Sequence, residues 1–219
     1  MKSFFKILLP YLLIQPFMIV LLCIIYFFVD KENMHIFMNK EGLFIIFISL
    51  IIYLFYLIFH YKVRFKKINF SFSLLTILIS FSITSLLNSL FNYNILEKSF
   101  SFNIVTFLST VIVGPIIEEI IFRYLIFDLI KEKRSTFDSA LITSIIFALV
   151  HFDIKKMIFA FVIGLILNKI YIKTNNIVYP IMGHIIINLV GYFFLPFNIY
   201  IIILGIISLV INSYNLKRS

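Results

Sequence analysis

Apolar residues in this chain neither alternate nor recur on a single helical face. They run continuously, and polar residues fall mainly in the gaps between the runs. Apolar runs comparable to the ~20 residues needed to cross a bilayer's hydrocarbon core lie at 7–29, 43–61, 71–91, 103–130, 138–152, 157–172, 177–195 and 199–214. Lipid cannot satisfy an exposed loop or an open sheet edge, so continuous apolarity over such lengths predicts helices. The expected fold class is all-α: a polytopic membrane helical bundle of about eight transmembrane helices. The runs 138–152 and 157–172 are short for a full crossing and read as partial or re-entrant spans. The chain divides on this reading into N-terminal membrane helices (1–100), a core carrying the chemistry (101–198), and a final membrane helix with a basic tail (199–219).

Composition agrees: 62% of residues are hydrophobic and 13% charged, with a mean hydropathy of +1.09, which excludes an ordinary water-soluble domain. The net charge of +9 would suggest nucleic acid in a soluble protein, but in a membrane protein it is explained by orientation. With the N-terminus in the cytoplasm, alternation across eight spans places thirteen of the 19 Lys and Arg on the cytoplasmic side, among them Lys62, Arg64, Lys66 and Lys67. The positive-inside rule therefore predicts a multi-pass cell-membrane protein with both termini cytoplasmic. The bilayer is its expected partner, with anionic lipid attracted to the 62–67 loop, and no nucleic acid is required. Lys2 and Lys6 precede an apolar run with no small-residue cleavage site after it, so the first run is expected to be a retained anchor. The single cysteine, Cys23, excludes an intrachain disulfide and a Cys-based metal cluster.

The chemistry lies in the polar groups placed where lipid should be. Glu118, Glu119 and Arg123 sit near the middle of the 103–130 run. At ~3 kcal/mol for each charge at a helix centre, three cost ~9 kcal/mol, comparable to what twenty apolar neighbours supply at ~0.3–0.6 each. These groups must be paired or face a protein-lined cavity. Glu119 and Arg123, four residues apart, are placed to pair along one helix face, while Glu118 projects about 100° away and has no evident partner. Gly114-Pro115 just upstream is expected to kink or loosen the helix. His151 and His184 lie in later apolar runs, and Asn188 shares a helix face with His184. His35 and His60 fall at span ends and read as interfacial. Taken singly, these groups serve equally well as interhelical hydrogen-bond partners. Together, a carboxylate, two imidazoles and a carboxamide are the parts for general-base activation of water and stabilisation of an oxyanion. An ion-coupled transporter using Glu118, His151 and His184 as a relay is a rival reading, although the chain lacks the repeated halves such transporters show.

The three segments EEIIFR (118–123), FALVH (147–151) and HIIIN (184–188) match EExxxR, FxxxH and HxxxN in that order. In this the chain resembles the CPBP intramembrane proteases, also called the Abi or CAAX-protease-like family, which include the type II CAAX prenyl endopeptidases. The resemblance implies an intramembrane endopeptidase in which Glu118 and His151 activate water, His184 and Asn188 stabilise the tetrahedral oxyanion, and Glu119 and Arg123 hold the site in shape. It implies a membrane-embedded or lipid-associated peptide or protein as substrate; a CAAX peptide is an analogy only, since the Ile-, Phe-, Lys- and Asn-rich composition points to a bacterial source. The family's members also include bacteriocin self-immunity factors, so a non-proteolytic immunity or partner protein on the same scaffold is the alternative.

No cofactor is favoured. If zinc were bound, Glu118, His151 and His184 would be the ligands. That use would consume the evident base, Asn188 is a poor zinc ligand, and no HExxH is present. Serine and aspartyl mechanisms are disfavoured because neither GxSxG nor GxGD occurs. One tension remains: along the spans His151 falls at the outer end of a short run, Glu118 at mid-depth and His184 nearer the cytoplasmic side.

Overall fold

The structure, a computed structural model, describes residues 4–13, 43–90 and 102–193. Cys23, His35, most of the first apolar run, the 199–214 run and the basic tail lie outside the described residues. Within them all regular structure is helical, in seven segments: α1 (Phe4–Leu13), α2 (Leu43–His60), α3 (Phe70–Leu90), α4 (Ile104–Lys131), α5 (Thr136–Leu149), α6 (Ile154–Thr174) and α7 (Val178–Phe193). Four of these, α2, α3, α4 and α6, are long and apolar enough to cross a membrane. Apolar side chains also cover the outside of the bundle: Ile52, Phe55 and Phe59 of α2 are all exposed. A helix that is apolar all round suits lipid rather than water.

The 157–172 run extends to the 21 residues of α6. Lys155 and Lys156, just outside that apolar run, occupy the exposed first turn of the helix. The Asp153 side chain caps that turn by accepting from the Lys156 amide at 2.9 Å. At the far end Asn175 adopts a left-handed φ of 45° and stops the helix. α5, by contrast, is short. Its 14 residues rise about 21 Å, less than the ~30 Å hydrocarbon core.

Helix pairs approach closely through small side chains, as expected where no water is present to drive association. α5 carries Ala140, Ser144 and Ala148 at four-residue spacing, and α6 carries Ala160, Gly164 and Asn168 likewise. A Cβ on Gly164 would lie 3.1 Å from the Ser144 side chain. Asn168 Nδ2 donates across this seam to Ala140 O at 3.1 Å and to Ser144 Oγ at 3.0 Å. Between α3 and α7, a Cβ on Gly183 would lie 2.7 Å from Ser80 Oγ. Several buried hydroxyls along α3 bond back to carbonyls one turn earlier, as in Thr76 to Phe72 O at 2.8 Å and Thr84 to Ser80 O at 2.7 Å, whereas the buried Ser80 hydroxyl, against Gly183, has no hydrogen-bond partner among the described residues.

The basic end of the bundle is tied together by its loops. Lys66 Nζ donates to Asn175 O, Asn176 Nδ2 donates to Lys67 O at 3.1 Å, and the Asn69 amide donates to the Tyr179 hydroxyl at 2.7 Å. The expected irregularity around Gly114-Pro115 takes the form of two π-helical stretches in α4, Leu108–Val113 and Ile120–Phe127. They flank the α-helical Gly114–Glu119. The Gly114 amide bonds five residues back to Ser109 O, where a Cβ would stand 2.9 Å from that oxygen. Pro115 has no N–H to continue the ordinary ladder.

Candidate active site

α4 delivers Glu118 and Glu119 at mid-bundle, and α7 brings His184 between them. Glu119 and Arg123 are both fully buried and joined at 2.9 Å, Arg123 NH1 to Glu119 Oε1. The guanidinium lies 4.5 Å over the Phe147 ring and its NH2 reaches Gly164 O at 3.4 Å. The same Glu119 Oε1 accepts from His184 Nδ1 at 2.8 Å. A carboxylate only accepts, so this bond puts the His184 proton on Nδ1 and leaves the Nε2 lone pair facing the other way. There Nε2 stands 3.7 Å from Glu118 Oε2, beyond direct hydrogen-bond length but close enough for both to touch one water. The ~100° that separates adjacent helical residues is thus spanned by one imidazole, whose two nitrogens face the two carboxylates.

Phe147 organises the imidazoles. Its ring meets His184 edge-on with centroids 5.7 Å apart and His151 at 5.0 Å. His151 lies just past the end of α5, in the turn before α6. From that turn His151 shares a cleft with His184 of α7. His151 Nδ1 donates to Phe147 O at 2.8 Å, again leaving Nε2 as the free nitrogen. The following residue, Phe152, is held at φ 52°, a left-handed conformation costly for a bulky side chain.

Two clefts meet at Asn188. The first, of about 230 Å³, is lined by His151, His184 and Asn188, with Asn88 and Lys156 at its polar edge and Phe159, Ile163 and Ile187 among its apolar walls. The second, of about 360 Å³, is lined by Glu118, Asn188, Thr106, Thr110 and the α2 side chains Leu43, Ile46 and Leu50. Asn188 Nδ2 donates to Thr110 O at 2.8 Å, which fixes the carboxamide between the clefts. The structure therefore gathers Glu119, Arg123 and His184 into one bonded cluster with Glu118 3.7 Å from His184, and His151, His184 and Asn188 into one cleft. Among the described residues no hydrogen bond or ion pair joins His151 to Glu118, and no three His, Cys, Asp or Glu side chains gather as metal ligands. Of the three zinc ligands the sequence offers, His184 keeps Nε2 available as a donor atom while Nδ1 bonds Glu119, but Glu118 and His151 line different clefts, so the set does not converge on one metal position in this arrangement.

Three contributors are not evident in the sequence. Tyr11 of α1 donates its hydroxyl to Glu118 Oε1 at 3.1 Å across 107 residues of chain. Lys156 and Asn88 reach the first cleft from α6 and α3. Nothing local distinguishes Tyr11 from the chain's other 11 tyrosines, so only the packing of α1 against α4 reveals it.

No solved structure significantly matches the chain. Over 77 residues the chain is 43% identical to YdiL of Bacillus subtilis (strain 168), named as a candidate membrane peptidase. The match covers 35% of this chain and 32% of that protein, so the chain spans about a third of the length of the curated relative it matches. Residues 100–190 match the family described as type II CAAX prenyl endopeptidase Rce1-like, and that segment contains Glu118, Glu119, Arg123, His151, His184 and Asn188, whereas Tyr11 and Asn88 lie outside it.

Proposed function

We propose that the chain is an intramembrane endopeptidase that hydrolyses a peptide bond of a membrane-associated peptide or protein. The observation that carries this reading is the placement of Glu118 Oε2 3.7 Å from His184 Nε2, with a buried Glu119–Arg123 pair behind and two clefts meeting at Asn188 in front. In the proposed reaction a water lies between Glu118 Oε2 and His184 Nε2, and His151, which lines the adjoining cleft with His184, aids its activation through a further water. Glu118 takes a proton as the water oxygen attacks the carbonyl carbon. The negative charge that develops on the carbonyl oxygen is met by Asn188 Nδ2 and by His184, which donates from Nε2 when it carries both protons, its charge balanced by Glu119. The carbon–nitrogen bond then breaks, and the proton held on Glu118 passes to the leaving amine. No step uses a metal. The charge bias of the sequence supports a cell-membrane orientation with both termini on the cytoplasmic side, and the proposed substrate class is a membrane-embedded or lipid-associated peptide or protein.

The test compares membrane peptides from cells producing the wild-type chain with those from Glu118→Ala, His151→Ala and His184→Ala cells. Each substitution should abolish the wild-type cleavage products while the protein still inserts. Unchanged products from any one of them refute its assignment. Retained biological effect without any cleavage would favour the immunity or partner reading.

A further inference from the structure

We propose that Tyr11 is a positioning residue for Glu118, supplied by α1 from outside the family-matched segment 100–190. The inference rests on the reading of Glu118 as the base. The Tyr11 hydroxyl donates to Glu118 Oε1 at 3.1 Å, and its ring packs edge-on against Phe122 with centroids 5.9 Å apart. The ring is thereby braced independently of the hydroxyl. With Oε1 occupied, Oε2 is the oxygen turned toward His184 Nε2 at 3.7 Å.

This bond fixes the rotation of the Glu118 carboxyl, keeping the carboxylate from closing onto His184 as a direct ion pair in which neither group would serve a water. Among the described residues, the charged and titratable groups that reach Glu118 are Tyr11 from α1, His184 from α7 and Arg123 on α4 itself, with Glu119 beside it in sequence. The α2 side chains in the same cleft, Leu43, Ile46 and Leu50, are apolar, and the Ser109 and Thr110 hydroxyls there donate to carbonyls of their own helix. Loss of the Tyr11 hydroxyl therefore leaves Oε1 with no replacement from α2.

The test is Tyr11→Phe, which removes one oxygen and keeps the ring. Measured on the full chain in lipid, kcat should fall about 10- to 100-fold, as expected for losing a hydrogen bond to a charged group, with KM and thermal stability nearly unchanged. In parallel, infrared spectroscopy should follow the Glu118 carboxyl band, identified by its disappearance in Glu118→Gln, and find its stretching frequency moved when the Tyr11 hydroxyl is lost. An unmoved band overturns the proposal and reduces Tyr11 to packing. A fall in activity that tracks lost stability overturns it as well. Retained cleavage by Glu118→Gln would instead overturn the reading of Glu118 as base, and the infrared band would still decide whether Tyr11 holds that carboxylate.

Discussion

The interior of this bundle should respond most sharply to Arg123→Met, which keeps much of the side chain's length and removes its charge. Glu119 and Arg123 are both 0% exposed. Glu119 Oε2 has no hydrogen-bond partner among the described residues, so its charge is met only through Oε1, by Arg123 at 2.9 Å and His184 at 2.8 Å. Deleting one partner of a buried pair strands the other charge and costs about 3–5 kcal/mol. For a chain of this size, ~2–4 °C of Tm per kcal/mol gives a fall of roughly 6–20 °C. The assay is thermal unfolding of the purified protein in one fixed detergent, run as a double-mutant cycle with Glu119→Gln. The double variant has no stranded charge, so it should recover at least ~2 kcal/mol relative to the sum of the single losses. An Arg123→Met variant within ~1 kcal/mol of wild type, or strictly additive losses, would refute the view that this pair is a mutually dependent support for His184.

Other outcomes follow from the same geometry. Asn188→Ala should lower kcat by about 10²–10³-fold with little change in KM, as for loss of one oxyanion donor; steady-state kinetics on a cleaved peptide checks this, and a change confined to KM would point to substrate binding instead. Gly164→Val should cost ~1–3 kcal/mol by overpacking, because a Cβ there already lies 3.1 Å from Ser144; its Tm would be expected to drop while that of Gly191→Ala, where nothing stands within 4 Å, stays put. Cleavage should persist after prolonged treatment with a strong chelator, and activity lost and then restored by zinc alone would reverse the metal-free mechanism.

The parts of the site legible from sequence were those encoded by helical spacing. Glu119 and Arg123, four apart, do pair, and His184 and Asn188, also four apart, do line one cleft. Apolar length gave the helices of the bundle, but it misjudged α6. Two lysines at a helix start fall outside the apolar run when only hydropathy is weighed, whereas Asp153 as a cap shows them to be the first turn. His151 and His184, which span positions alone set apart, line one cleft because His151 lies in the turn just after α5. The apparent isolation of Glu118 was also a limit of local reading. Its contacts, Tyr11 and His184, come from helices far away in the chain, and no spacing rule reaches that far. The π-helical turns on either side of Gly114–Glu119 were foreshadowed by Gly114-Pro115 only as a disturbance, since composition does not say which carbonyl a displaced amide will choose.

The most direct measurement is hydrolysis by purified wild-type and Glu118→Gln chains reconstituted in liposomes, using a peptide identified from the membrane comparison, in water enriched in heavy oxygen and with chelator present. Glu118 as the base predicts cleavage by the wild type, with heavy oxygen in the new carboxyl group, and no cleavage by Glu118→Gln in a protein of unchanged fold. Equal cleavage by both, or none by the wild type on a peptide that disappears only in cells producing it, would contradict that claim.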